Sequence, residues 1–284
     1  MTSPAVRSVT VVRTGPLATV QDEGRLGQGA LGIGRSGACD RGSYRLGNRL
    51  LGNAHGSAAI EVTLGGLVLR ADADVVVVTT GARCAGTAAH DAPFQLRAGE
   101  ELRLGPPQTG LRTYVAVRGG VAVDPVLGSR ATDLLSGLGP AVLADGVSLP
   151  VGPASGTMPG VDLAPVAQPQ EGEVAVRVLA GPRRDWFADS AWQALTSQAW
   201  AVTSESNRVG LRLAGEPLER QREGELPSEG MLCGALQVPP SGLPVLFLAD
   251  HPVTGGYPVI AYVADADVDR CAQLRPGQAL RFRP

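Results

Sequence analysis

Residues 59–79 read AIEVTLGGLVLRADADVVVVT, which is three short apolar runs, at 59–63, 66–70 and 75–79, separated by glycines and aspartates. Short runs rich in valine, isoleucine and threonine and bounded by turn-forming residues are typical of strands joined by tight turns. The same pattern recurs along the chain. It predicts further strands at 8–12, 101–104, 112–117, 174–179, 199–203, 210–213, 235–238, 244–249, 259–263 and 279–282.

Helical patterns are few. Asp40 is a candidate N-cap for one helix that ends near Gly52, and two more helices are predicted near 185–196 and 265–274. A short helical turn is predicted at 131–135. The 38 glycines and 22 prolines favour turns over long helices. The predicted fold class is therefore mainly β, built as rolled sheets or barrels with a few short helices.

A break in composition lies at 150–172, which is dense in proline, glycine and alanine and has no hydrophobic period. Such a segment is typical of a connection between two halves, although a segment that wraps a core has the same composition. The sequence accordingly predicts an N-terminal β-barrel-like domain at 1–149, a connection at 150–172 and a C-terminal β-barrel-like domain at 173–284.

The 284-residue sequence contains no lysine, since all 25 basic residues are arginine. Covalent attachment of biotin or lipoate needs a lysine amine, and so do a pyridoxal phosphate Schiff base and the phosphate-binding lysine of a P-loop. This sequence can supply none of those groups. Its net charge of -2 also argues against a nucleic-acid partner.

The cysteines and histidines show no ligand or disulfide spacing, so no metal site is predicted. Free thiols, together with the absence of a signal-peptide pattern at 1–10, lead us to expect a cytoplasmic protein. The longest strongly apolar run, 75–78, is too short to cross a membrane. The residues concerned are Cys39, Cys84, Cys233, Cys271, His55, His90 and His251.

Polar residues among glycines mark the loop at 21–27, which reads QDEGRLG. Arg25 offers a forked donor for a carboxylate or phosphate, and Asp22 is a candidate base or an orienting partner for Arg25. The alternative is an Asp–Arg pair that only pins a tight turn. Glu61 interrupts a strand-like run, and if its side chain faces inward it requires a partner, for which an arginine is expected.

Two polar loops mark the second half in the same way. Asn207 and Arg208 lie in a loop that repeats the pattern of an acid before Arg-x-Gly. The segment that starts at Asp250 contains Thr254 and Tyr257 around two glycines. It is interpreted either as a hairpin loop of structural importance only or as a nest that binds a small polar ligand.

Seven of these segments together resemble the biotin-dependent carboxyltransferase-like family, also known as allophanate hydrolase subunit 2 or as the C subunit of 5-oxoprolinase. The resemblance extends from about residue 11 to residue 282. The motifs that carry it are TVQDxGR at 19–25, SGAxD at 36–40, NxLLGN at 48–53, EVTLGG at 61–66, SNRVG at 206–210, GALQVP at 234–239 and TGGYP at 254–258.

The resemblance implies two linked β-barrel domains of cyclophilin-like topology and two partners, the B and A subunits of the same complex, of which B is the one like allophanate hydrolase subunit 1. It implies a complex that opens 5-oxoproline to glutamate at the expense of ATP. A related module of urea carboxylase transfers CO2 from carboxybiotin to urea, and another member antagonises an inhibitor of a sensor kinase. The sequence departs from the family at 251–253, where His-Pro-Val follows Asp250 in place of the usual Gln or Thr.

We therefore expect one component of an ATP-dependent 5-oxoprolinase, with ATP bound in the complex and no covalent biotin on this chain. The alternatives are one component of a carboxyltransferase and a non-enzymatic regulator. Arg25 and Arg208 are expected to bind a substrate carboxylate or phosphate, and the carboxylates to handle protons or metal-bound phosphate. The expected site residues are Asp22, Arg25, Glu61 and Asp250 for catalysis and Asn207, Arg208, Gln237, Thr254 and Tyr257 for substrate binding.

Overall fold

The computed structural model of the protein describes residues 7–87 and 89–284. The described part is mainly β, which confirms the predicted fold class. Its first half contains the strands β1 (Ser8–Arg13), β2 (Leu17–Gln21), β3 (Ala59–Thr63), β4 (Val68–Ala71), β5 (Val75–Gly81), β6 (Phe94–Leu96), β7 (Glu101–Arg103), β8 (Arg112–Val117) and β9 (Ser148–Pro150). Its second half contains β10 (Val174–Ala180), β11 (Ala199–Val202), β12 (Gly210–Ala214), β13 (Glu229–Gly230), β14 (Ala235–Gln237), β15 (Val245–Phe247), β16 (Thr254–Gly255), β17 (Val259–Val263) and β18 (Ala279–Arg283).

The chain divides into two units. The first unit comprises the described residues up to Arg25, Asp40–Asp133 and Gly137–Pro169, and the second comprises Leu26–Cys39, Leu134–Ser136 and Gln170–Pro284. Beyond β9 the described residues 151–172 form no further strand of a sheet and no helix, and those up to Pro169 belong to the first unit.

Two antiparallel sheets form the first unit, in the strand orders β7-β4-β1-β9 and β2-β3-β8-β5-β6. Alternate residues of these strands point into one buried cluster, in which Val9, Leu69 and Leu102 of the four-stranded sheet join Ile60 and Val115 of the five-stranded sheet. Burial of such aliphatic side chains contributes about 1.5–3 kcal/mol each. β6 and β9 were not predicted, because runs of three residues carry little periodicity.

The helix α1 (Arg41–Leu50) covers the other face of the five-stranded sheet. It begins where predicted, since the side chain of Asp40 accepts a hydrogen bond from Ser43 N at 2.9 Å. Gly47 permits the close approach of helix and sheet, because a Cβ at this position would lie 3.2 Å from Ala116 Cβ. β3 is consequently buried on both faces, which decides the environment of Glu61.

A closed seven-stranded barrel forms most of the second unit, in the order β10-β17-β14-β15-β12-β11-β18. It closes through a parallel pairing in which Val176 of β10 lies opposite Phe282 of β18. Trp200, Leu236 and Ile260 fill its interior. β13 and β16 form a separate two-stranded ribbon.

The helices α2 (Asp189–Ser197) and α3 (Asp265–Cys271) lie where two of the helices were predicted. The helical turn predicted at 131–135 is wrong. Thr132 N donates to Val20 O at 2.9 Å and Asp133 N to Leu138 O at 2.9 Å, so these backbone groups bond outside the segment rather than along a helix. No helix within the described residues is long and apolar enough to span a bilayer.

Candidate functional site

The loop that follows β2 is fixed by Asp22, whose carboxylate is buried. Asp22 Oδ1 accepts hydrogen bonds from Ser129 Oγ at 2.6 Å and from Gly24 N at 2.8 Å, and Oδ2 accepts one from Arg130 N at 2.6 Å. Ionised oxygens that accept several such bonds are well stabilised. Asp22 thus closes the loop onto residues 129–130, and it binds these residues rather than Arg25.

Arg25 lies in the same loop and is 2% exposed. Its Nη2 donates to Ala131 O at 2.5 Å. Its Nε and Nη1 are buried and have no hydrogen-bond partner among residues 7–87 and 89–284. A buried cation without a carboxylate beside it is costly, which makes Arg25 a ready receptor for an anion.

Gly139 makes room for this guanidinium. It adopts φ +92°, and a Cβ there would lie 2.5 Å from Arg25 Nη2 and would collide with Ala131 O. Only glycine combines that backbone conformation with that clearance. Gly139 therefore packs closely against both the guanidinium of Arg25 and the carbonyl of Ala131 that it binds.

Glu61 faces inward from β3 and is 1% exposed. The expected arginine partner is Arg112, whose Nε lies 3.5 Å from Glu61 Oε1. Tyr114 Oη donates to Glu61 Oε2 at 2.6 Å and accepts from Asp40 N at 2.8 Å. Glu61 is thus linked through Tyr114 to the start of α1, and its oxygens face donors of the chain itself.

Tyr114 belongs to a polar row that crosses four neighbouring strands. β2 places Thr19 opposite Glu61, β8 places Tyr114 opposite Glu61, and β5 places Thr80 opposite Tyr114. Tyr44 of α1 meets the ring of Tyr114 edge-on at a centroid distance of 6.4 Å. Burial, together with the nearby carboxylates, raises the pKa of Tyr44 above its ordinary value.

In the second unit, Arg208 and Asp250 form a fully buried, bidentate ion pair. Arg208 Nε and Nη2 each donate to an oxygen of Asp250 at 2.9 Å. Asp250 also accepts from Ser36 Oγ at 2.6 Å and from Leu134 N at 3.1 Å, and Arg208 Nη2 donates to Gly37 O at 2.6 Å. The pair fastens the segments 26–39 and 134–136 within this unit.

Asn207, next to Arg208, is exposed and shapes the turn before β12. Its Oδ1 accepts from Val209 N at 2.8 Å and from Gly210 N at 3.4 Å. This is a turn in which a side chain replaces a backbone acceptor.

The side chain of Gln237 contacts the backbone of the loop that contains Tyr257. Gln237 Nε2 donates to Tyr257 O at 3.1 Å, and a Cβ on Gly255 would lie 2.6 Å from that nitrogen. Thr254 is exposed and pairs with Gly230 across the two-stranded ribbon. The contacts found for the Asp250 carboxylate among described residues involve neither Thr254 nor Tyr257.

A buried pair, His90 and Asp91, was missed by the sequence reasoning. His90 Nε2 lies 3.4 Å from Asp91 Oδ2, which also accepts from Gln168 Nε2 at 2.9 Å. Burial raises the pKa of Asp91 to about 6 and lowers the pKa of His90. Asp91 Oδ1 has no partner within the described chain. Adjacency of the two residues was the only signal, and it does not reveal burial.

Gln21, Ser36 and Tyr114 were also missed as members of these clusters. Gln21 lies in the motif at 19–25 and Ser36 in the motif at 36–40, whereas Tyr114 lies in a predicted strand whose register the sequence does not give. Over the ranges that the structure describes, no three His, Cys, Asp or Glu side chains converge as metal ligands do.

Comparison with known proteins identifies the family. The family model described as carboxyltransferase domain, subdomain A and B, matches residues 31–284. The C subunit of the Escherichia coli K12 5-oxoprolinase is 38% identical over 280 residues, which cover 96% of this chain and 89% of that protein. The urea amidolyase of Lachancea kluyveri is 31% identical, and the matched region covers 96% of this chain but 17% of that protein.

Two solved structures are similar along the whole chain. The crystal structure of TTHA0988 superposes with a TM-score of 0.89 at 36% identity, covering 99% of this chain and 56% of the other. The Kluyveromyces lactis urea carboxylase gives a TM-score of 0.90 at 27% identity, covering 100% of this chain and 28% of the other. This chain spans little more than half of the first and about a quarter of the second. The resemblance inferred from the motifs is confirmed, and the chain belongs to the carboxyltransferase domain family, subdomain A and B.

Proposed function

We propose that this protein is the C subunit of an ATP-dependent 5-oxoprolinase complex. In the net reaction one water adds across the lactam C–N bond of 5-oxoproline to give glutamate, and a second water converts ATP to ADP and phosphate. Transfer of the ATP γ-phosphoryl group to the lactam oxygen would activate the carbonyl carbon toward water. The similarity to the corresponding E. coli 5-oxoprolinase polypeptide over nearly the whole of both chains supports this assignment.

One observation carries the choice of substrate: the guanidinium of Arg25 is buried, and its Nε and Nη1 have no hydrogen-bond partner among the described residues. 5-Oxoproline carries a carboxylate at neutral pH, whereas urea carries no charge. A carboxylate matches the forked donor in both charge and geometry. Arg25 therefore favours an anionic substrate, with the carboxylate of 5-oxoproline as its ligand.

The other expected site residues receive roles that agree with their contacts. Asp22 and Glu61 of the first unit are proposed candidates for proton transfer, and Asp250 is the corresponding candidate in the second unit. Asn207 and Arg208 are the proposed substrate-binding residues of the loop before β12, in which Asp250 pairs with the guanidinium of Arg208. The proposed residues that orient the substrate are Gln237, Thr254 and Tyr257.

The proposed complex also contains the B and A subunits. Because the sequence has no lysine and no P-loop, we assign ATP binding to the assembled complex and no covalent biotin to this chain. The proposal places the complex in the cytoplasm, where the free thiols Cys39, Cys84, Cys233 and Cys271 stay reduced.

Carboxyl transfer from a separate biotin carrier to urea is the second candidate. The similarity to urea amidolyase at 31% identity and to urea carboxylase at a TM-score of 0.90 supports it. In that reaction Arg25 would bind the carboxyl group in transit. The two candidates predict different requirements, namely 5-oxoproline with ATP in one case and carboxybiotin in the other.

The test is co-purification with the proposed A and B subunits, followed by measurement of glutamate and ADP release from 5-oxoproline. Arg25→Ala is expected to lower glutamate release by at least about a hundredfold, the usual loss when a buried anion loses its arginine. Arg49→Ala, an exposed arginine on α1, is the matched control and should retain activity. Full activity of Arg25→Ala would remove Arg25 from the site, and carboxybiotin-dependent turnover of urea would favour the second candidate. Tight association without any turnover would indicate a regulator.

A further inference from the structure

Gln21 is the last residue of β2, and of the two polar atoms of its side-chain amide only the nitrogen forms hydrogen bonds within the described chain. It is 0% exposed. Its Nε2 donates to Thr132 O at 2.8 Å and to Thr19 Oγ1 at 3.0 Å. Its Oε1 is buried and has no partner among the residues described. A buried carbonyl oxygen without a donor is uncommon in native proteins and requires an explanation.

Gln21 and Arg25 hold consecutive backbone carbonyls. Arg25 Nη2 binds Ala131 O at 2.5 Å, and Gln21 Nε2 binds Thr132 O at 2.8 Å. Carbonyl oxygens of adjacent residues are about 3–5 Å apart, so the two terminal groups lie within ~10 Å of each other. The end of β2 and the loop after it thus present one buried acceptor and two buried donors, all without a partner among the described residues, on side chains that bind consecutive carbonyls.

Open groups of these two kinds suit a small molecule that carries both an N–H and an anion. The ligand would span about 3 Å between its nitrogen and its carboxylate, and it would form one hydrogen bond of about 2.9 Å to Gln21 and one to Arg25. These three lengths together fit within the separation of ~10 Å between the two side-chain ends. A lactam N–H next to a carboxylate has this arrangement. A plain dicarboxylate would satisfy Arg25 but would place further lone pairs against Gln21 Oε1.

We propose that Gln21 Oε1 accepts the lactam N–H of the substrate while Arg25 binds its carboxylate, so that Gln21 selects a lactam over the corresponding lactone. The inference rests on the proposed function. In the lactone a ring oxygen replaces the N–H, and two acceptors then face each other in a buried place. Leaving a buried acceptor unpaired lowers affinity by about tenfold to a hundredfold.

The experiment compares kcat/KM for 5-oxo-L-proline and for 5-oxotetrahydrofuran-2-carboxylate, its lactone analogue, in the reconstituted complex, with ADP release as the readout. Gln21→Met keeps the length of the side chain and removes the acceptor. It is expected to lower the preference for the lactam over the lactone by about tenfold or more. Gln21→Glu keeps an acceptor and is expected to retain most of the preference, while its carboxylate competes for Arg25 and lowers kcat/KM for both substrates.

Thr19→Val is the matched control, because it removes the bond from Gln21 Nε2 to Thr19 and leaves Oε1 untouched. If Gln21→Met and Thr19→Val both lower turnover of the two substrates equally, Gln21 has a structural role only and the inference is overturned. A second measurement is the rise in melting temperature of the complex with 5-oxoproline in the absence of ATP. That rise should disappear in Gln21→Met and persist in Thr19→Val. A wild-type complex that binds 5-oxoproline but releases no glutamate would contradict the proposed function and leave the recognition by Gln21 supported.

Discussion

Arg25 and Arg208 share a local sequence pattern, since each lies in an acid-containing loop and precedes x-Gly. The charges around the two guanidinium groups nevertheless differ. Arg208 has its charge balanced by Asp250, whereas Arg25 binds only the carbonyl of Ala131 among the described residues. The loop sequence alone could not distinguish them, because the partner of Arg208 lies 42 residues further along the chain. The local sequence marked both arginines as candidates, and contacts with residues distant in the sequence decided how each side chain is paired.

Opposite effects on stability follow from this difference. Arg25→Met removes an uncompensated buried charge and one hydrogen bond, so the free energy of unfolding is expected to stay unchanged or to rise by about 1 kcal/mol. Arg208→Met leaves the carboxylate of Asp250 buried without its cation and is expected to lose about 3–5 kcal/mol. Urea denaturation of the purified variants measures both. A loss for Arg25→Met as large as that for Arg208→Met would show that Arg25 is structurally compensated.

At the scale of elements, β3 shows what a strand pattern can and cannot predict. The bounds of β3 and β8 follow directly from their apolar runs. The burial of the Glu61 side chain does not, because alternation along β3 places Glu61 with Ala59 and Thr63 opposite the face of Ile60 and Val62, which is the pattern of a strand with one face toward solvent. The coverage of one face by α1, made possible by Gly47, turns Glu61 inward and supplies Tyr114 and Arg112 as its partners.

Tyr114 connects the five-stranded sheet to the N-terminus of α1, and its removal should cost more than removal of a comparable hydroxyl. Tyr114→Phe removes two buried hydrogen bonds at once, one to the Glu61 carboxylate and one from the amide of Asp40, for an expected loss of about 2–3 kcal/mol. Tyr44→Phe removes one bond to Ser57 O and is expected to lose about 1 kcal/mol. Denaturant midpoints of the two variants give the comparison. Equal losses of unfolding free energy in the two variants would mean that the hydrogen bonds through Tyr114 stabilise the fold no more than the single bond of Tyr44.

At the scale of the whole molecule, glycine-bounded apolar runs were sufficient to predict a mainly β protein. They could not predict that residues 26–39 and 134–136 belong with the barrel of the second unit. Those segments are held by side chains distant in sequence, such as Ser36 on Asp250. Composition also identifies 150–172 as irregular without revealing that Gln168 binds Asp91. Contacts of this kind depend on the tertiary structure and leave no local pattern.

The pH dependence of global stability reports on the same buried contact. Because burial raises the pKa of Asp91 to about 6, the folded chain binds a proton between about pH 4 and pH 6 that the unfolded chain has released. Asp91 therefore destabilises the fold increasingly as the pH rises through this window, by about 3 kcal/mol once it is fully ionised. Asn also tolerates the positive φ of 55° at this position. Asp91→Asn should thus gain stability relative to the wild type as the pH rises from 4 to 7.

Asp72 provides a control of opposite sign. Hydrogen bonds from Thr10 and Ser8 and the charge of Arg70 outweigh the effect of burial and hold the pKa of Asp72 below its ordinary value. Its contribution is present above about pH 4 and is lost as the pH falls through the lowered pKa, so Asp72→Asn should be less stable than the wild type at pH 7 and approach it in acid. His90, whose pKa is lowered by burial, destabilises the fold as the pH falls below about 6.5 in the wild type and in both variants. Denaturation curves at pH 4, 5, 6 and 7 should show Asp91→Asn gaining stability relative to the wild type as the pH rises, whereas Asp72→Asn keeps a nearly constant deficit over this range and approaches the wild type only at about pH 3 and below. Parallel curves for Asp91→Asn and the wild type would contradict the assignment of a raised pKa to Asp91.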